Sequence, residues 1–355
     1  MTKLVQANDL ARFCREILTA VGADSETARD CTASMMHGSI HGVDSHGVRL
    51  LDHYAKALQG GRLNKTPNLK FARTRAGSGM LHGDNAQGAR ATYAAMDHAC
   101  DLAAEAGIGA VGITDSSHFG PAGAYAMHAA QLGMLAMVTC NSDSFVRLHD
   151  GAERFHGTNP LSIACPTLGN PWLLDMATSA VPYNRVELYR STSTQLPDGV
   201  ASNSKGADTT DPNLADMLAP LGGIFGFKGA GLGGVAELFS AVLTGMQLSP
   251  DIAAMGGPDF STPRGMGAFV IALDPNAFAG AEIVQAGVTR YLELLRASPA
   301  QPGRKVLAPG DREWAVALDR RKNGIKLDPV TSASYAVLAQ TLQIDPVFEP
   351  PLREQ

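Results

Sequence analysis

The stretch Ile108-Gly109-Ala110-Val111-Gly112-Ile113-Thr114, running on into Asp115-Ser116-Ser117-His118-Phe119-Gly120, decides the fold class. The run to Thr114 reads as a buried strand, and an imidazole in polar company follows it directly. Upstream, an Ala-rich helix over 89–106 stops at Gly107. Downstream, a helix over 122–132 leads to a second buried strand, Leu135 to Cys140, which ends at Asn141-Ser142-Asp143. Strand-helix-strand alternation of this kind predicts an α/β lobe. Its polar residues stand just past the strand C-terminal ends, where open α/β sheets bind ligands.

Outward from this lobe the chain turns helical. Leu10, Phe13, Cys14, Ile17, Leu18 and Val21 keep the spacing of an amphipathic helix, with Asn8 as its N-cap and Gly22 as its stop. A second helix is expected over 26–40 behind Asp24 or Ser25. A third holds Tyr54, Ala55 and Leu58 and stops at Gly60-Gly61. The turn-rich stretch from Pro197 to Pro212 predicts a surface excursion. Beyond it come a helix over 231–244, a buried strand over 267–273 and helices over 279–297, 312–322 and 331–342. Three units follow: a helical N-terminal segment over 1–67, an α/β cofactor-binding and catalytic lobe over 68–297, and a helical C-terminal segment over 298–355 packing back on the first.

Charged residues make up 18% of the 355, with a net charge of -5 and no basic cluster, which argues against nucleic acid as a partner. No apolar run is long enough to span a membrane, and Met1 to Asp9 lacks the apolar core of a signal peptide. The cysteines, Cys14, Cys31, Cys100, Cys140 and Cys165, are odd in number and scattered in mostly apolar runs. They read as reduced core residues of a cytoplasmic protein.

Two histidines carry the chemical signal. His46 lies in Asp44-Ser45-His46-Gly47-Val48-Arg49, where a hydroxyl, an imidazole and a guanidinium crowd together. Arg49 suits a carboxylate, Ser45 a hydrogen bond, and His46 a proton near neutral pH. The competing reading is a helix C-terminal cap with solvated side chains. His118 reads either as a general acid or base at the sheet edge or as a packed residue in a capping turn. A third grouping, His37 and His41 with His46, has the spacing of a metal site but lacks the glutamate of the metal-helix signature, so no metal is assigned. Asp143 and Asp175 suit orienting a histidine or meeting a ribose hydroxyl. Gly229-Ala230-Gly231-Leu232-Gly233-Gly234 matches GxGxxG in spacing, yet no strand precedes it. These glycines read as a close-packed helix start, with Lys228 beside it for an anion. The remaining histidines, His53 among them, lack such surroundings and read as surface or satisfied core residues.

Taken in order, several stretches resemble the malate/L-lactate dehydrogenase family that lacks a Rossmann fold. They are Asp44 to Arg49, Ser117-His118-Phe119-Gly120, Gly157-Thr158-Asn159-Pro160, Asp175-Met176-Ala177-Thr178-Ser179 and Gly226-Phe227-Lys228-Gly229. Leu307-Ala308-Pro309-Gly310 and Gly324-Ile325-Lys326-Leu327 extend the match. The resemblance implies a sulfolactate-dehydrogenase-like α/β fold, a homodimer, and hydride transfer between NAD or NADP (NAD slightly favoured) and C2 of a small 2-oxo or 2-hydroxy acid. It places catalysis on His46, His118 and Asp143 and substrate contacts on Ser45 and Arg49. It places cofactor contacts on Ser142, Asp175, Met176, Ala177, Lys228, Ala308, Pro309 and Gly310. A cyclic imino acid as substrate is the alternative within the family. A metal-dependent hydrolase and a non-catalytic acid-binding sensor are the alternatives outside it. Departures at Gln87-Gly88, Phe145-Val146-Arg147 and Val181 to Val186 leave substrate and cofactor choice open.

Overall fold

The computed structural model describes residues 4–347. In chain order the elements begin with β1 (Leu4–Val5), α1 (Ala7–Ala20), α2 (Ser25–Ile40) and α3 (Leu51–Gly60). The lobe follows with β2 (Lys70–Arg75), β3 (Ser78–His82), α4 (Gly88–Ala106), β4 (Ile108–Ser116), α5 (Gly123–Gln131) and β5 (Leu135–Cys140). Next come β6 (Val146–Arg147), β7 (Arg154–His156), β8 (Leu161–Cys165), β9 (Trp172–Met176), α6 (Tyr183–Ser191), β10 (Ala201–Ser202) and β11 (Met217–Leu218). The chain ends through α7 (Phe227–Glu237), β12 (Met266–Leu273), α8 (Ala281–Ala297), α9 (Asp311–Asn323), β13 (Ile325–Lys326) and α10 (Pro329–Leu342).

The central sheet has seven strands in the order β2-β3-β4-β12-β5-β8-β9. Within it β3 and β4 pair in parallel, and the other neighbouring strands pair antiparallel. The later strand β12 runs antiparallel between β4 and β5. Its register positions the site. Met266 pairs with Ser116, and Ala268 pairs with Cys140. The chain just before β12 therefore lies between the chain leaving β4 and the chain leaving β5.

α4 packs so closely on β4 that a Cβ at Gly109 would collide with the Ala99 carbonyl. Ala91, Ala95, Ala99 and Ala103 are buried there, so small side chains set the helix-sheet distance. On the opposite face, a Cβ at Gly112 would meet Thr244 at 3.1 Å, and one at Gly267 would collide with the Ser240 carbonyl. The segment carrying Ser240 is a π-helical turn over Leu238–Val242 that continues α7.

A second core joins the chain ends. α1 buries Leu10, Phe13, Ile17 and Leu18 at about 1.5–3 kcal/mol each. Phe13 lies 5.0 Å from the Tyr335 ring of α10, and β1 pairs antiparallel with β13. Tyr335 donates to the Val48 carbonyl at 2.9 Å, and Arg320 of α9 donates to the Ser39 carbonyl at 2.6 Å and pairs with Asp44. The C-terminal helices thus hold the segment that carries His46.

Several local expectations shift. Gln6, not Asn8, is the N-cap of α1, and no side chain caps that helix. Asp24 caps α2 by accepting from Thr27 N at 2.7 Å. α7 starts at Phe227 rather than near Gly231. Of its glycines, Gly229 and Gly233 are tightly packed, whereas Gly231 and Gly234 have open space above them. β2, β3 and β8 have no expected counterpart, because β2 is almost wholly exposed and β3 and β8 are short.

Candidate active site

His46 is delivered by the tight exit from α2. Gly42 takes φ +83, a left-handed conformation that suits glycine, and Asp44–His46 form a 3₁₀ turn. A Cβ at Gly47 would collide with Ser39 Oγ, which instead accepts from Val48 N at 2.9 Å. Ser45 Oγ lies 2.9 Å from His46 Nδ1.

His118 is delivered by the end of β4. Ser34 of α2 donates to the Phe119 carbonyl at 3.0 Å, tying this loop to the helix that precedes His46. Gln87, the N-cap of α4, accepts from Ala89 N at 2.7 Å and donates to the His118 carbonyl at 3.3 Å. The hydroxyl of Tyr54, fully buried on α3, lies 2.8 Å from His118 Nδ1. The His46 and His118 rings stack, with centroids 5.6 Å apart and planes at 24°. Two imidazoles distant in sequence therefore share one pocket.

The guanidinium whose charge is felt at His118 is that of Arg264. Arg49 is exposed and turns to the C-terminal segment, 4.0 Å from Asp328, the residue that caps α10. Arg264, just before β12, has no exposed side-chain surface. It pairs with Asp143, and its Nε donates to the Ala253 carbonyl at 2.9 Å. Asp143 also accepts from Met255 N at 3.1 Å. Buried Arg62 holds the same loop through the carbonyls of Ala254, Met255, Asp259 and Thr262.

Burial pushes the imidazoles toward their neutral forms. It takes His46 down to about 4. It takes His118 well below the usual histidine range, helped by His46, Arg264 and His53. His53 also falls to about 4, through burial and then through Arg264 and Arg62. His53 was expected to be bland, yet its ring packs on Phe260 inside this charged cluster.

The side-chain partners of the two rings are Tyr54 at His118 and Ser45 at His46, while Asp143 pairs with Arg264 and Asp175 accepts from Gly123 N. The metal trio does not assemble. His41 Nδ1 is 2.8 Å from the His37 carbonyl, and the two rings lie 4.3 Å apart, while His46 faces His118. Among the described residues no group of three His, Cys, Asp or Glu could hold a metal ion.

Of the expected cofactor residues, Asp175, Met176 and Ala177 close β9 and follow it. Burial raises the Asp175 carboxyl to about 6, against a hydrogen bond from Gly123 N, with Glu313 of α9 raising it further. Gly310, at φ +95, lies against Leu173 of β9, so the loop Ala308 to Gly310 borders the same strand. Ser142 Oγ accepts from Thr158 N at 3.3 Å. Lys228 is exposed and sits over the Phe225 ring at 5.5 Å.

Comparison with known proteins places this geometry. The malate/L-lactate dehydrogenase family pattern matches residues 5–334. The chain belongs to the malate/L-lactate dehydrogenase family. It is 37% identical over 248 residues to a malate dehydrogenase of Pyrococcus abyssi, covering 68% of each chain. It is 32% identical over 308 residues to the NAD(+) ureidoglycolate dehydrogenase of Escherichia coli K12, covering 86% of this chain and 87% of that one. The crystal structure of malate dehydrogenase from Entamoeba histolytica superposes with a TM-score of 0.92 at 28% identity, over 98% of this chain and all of that one. As a member of this dehydrogenase family, the chain is an oxidoreductase of small hydroxy acids with a nicotinamide cofactor.

The residues present fit such a cofactor in a malate/L-lactate dehydrogenase. A Cβ at Gly123 would meet Asp175 Oδ2 at 2.6 Å, and one at Gly310 would meet Trp314 Nε1 at 2.7 Å. Backbone at two glycines thus packs directly on Asp175 and Trp314 beside β9. Sequence reasoning missed Tyr54, Gln87, His53 and Arg264. Tyr54 reads as one more apolar residue of an amphipathic helix. Arg264 carried a usable signal: a lone cation just before an apolar strand mirrors His118 just after one.

Proposed function

We propose that the stacked pair His46 and His118 handles the proton of a reversible hydride transfer at C2 of a small 2-hydroxy or 2-oxo acid. The observation that carries this reading is the 5.6 Å approach of the two rings in a buried, cation-bordered pocket. The bound cofactor supplies or accepts the hydride. In reduction, negative charge builds on the C2 oxygen, and an imidazole N–H at that oxygen stabilises it and delivers a proton. Ser45 holds His46, and Asp143 acts through Arg264 rather than on the substrate. Arg49 grips the substrate carboxylate by exchanging its exposed partner Asp328 for it. An exposed pair at that distance is worth little, so the exchange costs less than about 1 kcal/mol.

Asp175, Met176, Ala177, Ser142, Ala308, Pro309 and Gly310 hold the cofactor, with Lys228 at its edge. NAD is favoured over NADP, in keeping with the negative charge that Glu313 adds near Asp175. The chain works as a homodimer in the cytoplasm. Supporting the first is an apolar face of α7 and its π turn, with Phe227, Leu238, Val242 and Leu243 all more than half exposed. Supporting the second are five buried, unpaired cysteines. Among the described residues no helix is long and apolar enough to cross a membrane. The boundaries near 67 and 297 stand as functional units, in line with the separate cores of the lobe and the joined chain ends.

A panel of 2-oxo, 2-hydroxy and cyclic imino acids, run with both cofactors, tests this reading. A 2-oxo or 2-hydroxy acid should give the highest kcat/KM, with NAD(H). Turnover of cyclic imino acids alone would replace the substrate class, and no turnover or cofactor binding would end the reading.

A further inference from the structure

We infer that Glu237 is a positioning residue for the cofactor contact Ser142, acting through the side-chain amide of Asn159. The inference rests on the proposed place of Ser142 at the cofactor and adds the residues that hold it there. Glu237 closes α7, the helix that opens with Phe227 and Lys228, and it is buried. Four neutral donors meet its carboxylate. Oε1 accepts from Asn159 Nδ2 at 2.9 Å and from Ser249 Oγ. Oε2 accepts from Asn141 Nδ2 at 3.1 Å and from Ser249 N at 3.2 Å. A carboxylate taken out of water needs such a full set of donors, one for each lone pair.

These contacts orient the Asn159 amide. Its Nδ2 faces two groups that can only accept, Glu237 Oε1 and, at 3.0 Å, the Gly233 carbonyl. Its Oδ1 is therefore turned toward Ser142, whose backbone N–H donates to it at 3.3 Å. Ser142 Oγ meanwhile accepts from Thr158 N at 3.3 Å. Two consecutive residues thus grip Ser142 at its nitrogen and at its hydroxyl. They lie close against it, since a Cβ at Gly157 would collide with Ser142 Oγ. Asn159 itself is fully buried at φ +39, a left-handed conformation that asparagine tolerates better than most residues. Among the described residues no acceptor takes the Ser142 hydroxyl hydrogen, so that hydrogen is left for an acceptor atom of the cofactor.

Glu237→Gln breaks this chain of contacts at a defined atom. An amide brings two donor hydrogens where the carboxylate had acceptors alone. Ser249 N is backbone and cannot turn round, so the new NH₂ takes the Oε1 position. The Ser249 hydroxyl can rotate to accept from it there. Asn159 Nδ2 cannot, and it now faces a second donor. Rotating the Asn159 amide relieves that clash and takes Oδ1 away from Ser142 N.

The test is a double-mutant cycle read by NADH fluorescence on binding, which needs no turnover. Glu237→Gln should raise the Kd for NADH about 3- to 10-fold, the worth of one hydrogen bond. It should leave kcat at saturating cofactor unchanged. Ser142→Ala should weaken NADH to a similar degree, and the double variant should bind no worse than Ser142→Ala alone. Asn159→Gly keeps the left-handed backbone and removes the amide, so it should match Glu237→Gln. It decides the cycle if Glu237→Gln does not fold. Wild-type affinity in the Glu237 or Asn159 variant, or a double variant in which the two losses multiply, would overturn the inference while Ser142 keeps its place at the cofactor. Unchanged affinity in Ser142→Ala would remove that place, and the inference with it.

Discussion

Arg264 and Asp143 form an ion pair with the guanidinium wholly shielded from water, and they meet because β12 runs antiparallel between β4 and β5. A guanidinium buried this deeply needs its counter-ion. Asp143→Ala should destabilise the fold by about 3–5 kcal/mol in chemical denaturation, because it strands a buried charge. The double variant Asp143→Leu with Arg264→Met should recover most of that loss. A single variant as stable as wild type would show that the pair is not a structural unit.

Stability should fall as pH drops from about 6.5 toward about 4. In the folded chain His46 and His53 are held down to about 4 and His37 to about 3, each chiefly by burial. The unfolded chain, with ordinary histidines near 6.5, binds more protons across that window, so acid favours unfolding. Each imidazole contributes about 1–2 kcal/mol after allowing for partial exposure. Asp175, raised to about 6, works in the opposite sense as a single group. Denaturation midpoints measured from pH 7 to 4 should therefore decline, and a flat or rising series would contradict these shifts.

Arg49→Lys should raise KM for the acid about 3- to 10-fold and leave the affinity for reduced nicotinamide unchanged. A forked donor becomes a point charge in that variant. Unchanged KM would leave Arg49 as a surface partner of Asp328 alone, as the 4.0 Å pair already allows.

Leu238→Asp together with Val242→Asp should convert a dimer to a monomer in light scattering coupled to size exclusion. Both side chains are about 60% exposed on an apolar surface, at 59% and 61%. A burial cost for two carboxylates would outweigh the modest surplus of a typical interface. A wild-type monomer, or an unaffected double variant, would place the assembly elsewhere or remove it.

The strands and helices that flank the histidines were legible because their apolar periodicity is strong. β5 falls on the residues expected for it, and α2 falls within a residue of its expected span. The two histidines were legible because each sits at an abrupt change from apolar to polar sequence. The sheet's strand order was not, since nothing in the run 266–273 says that it pairs between two earlier strands. Arg264 and Tyr54 were hidden for the same reason: their role comes from long-range register. The direction of Arg49, toward Asp328, was not legible either, because a charged residue beside such a motif carries no mark of which way it points.

The most direct test of the central claim is steady-state turnover of His46→Ala and His118→Ala on the best acid of the panel, with reduced-nicotinamide binding measured alongside by fluorescence. Both variants should lose about 10²- to 10⁴-fold in kcat while binding the cofactor as wild type does. Wild-type turnover in both would mean that the stacked imidazoles at 5.6 Å are not where the proton moves.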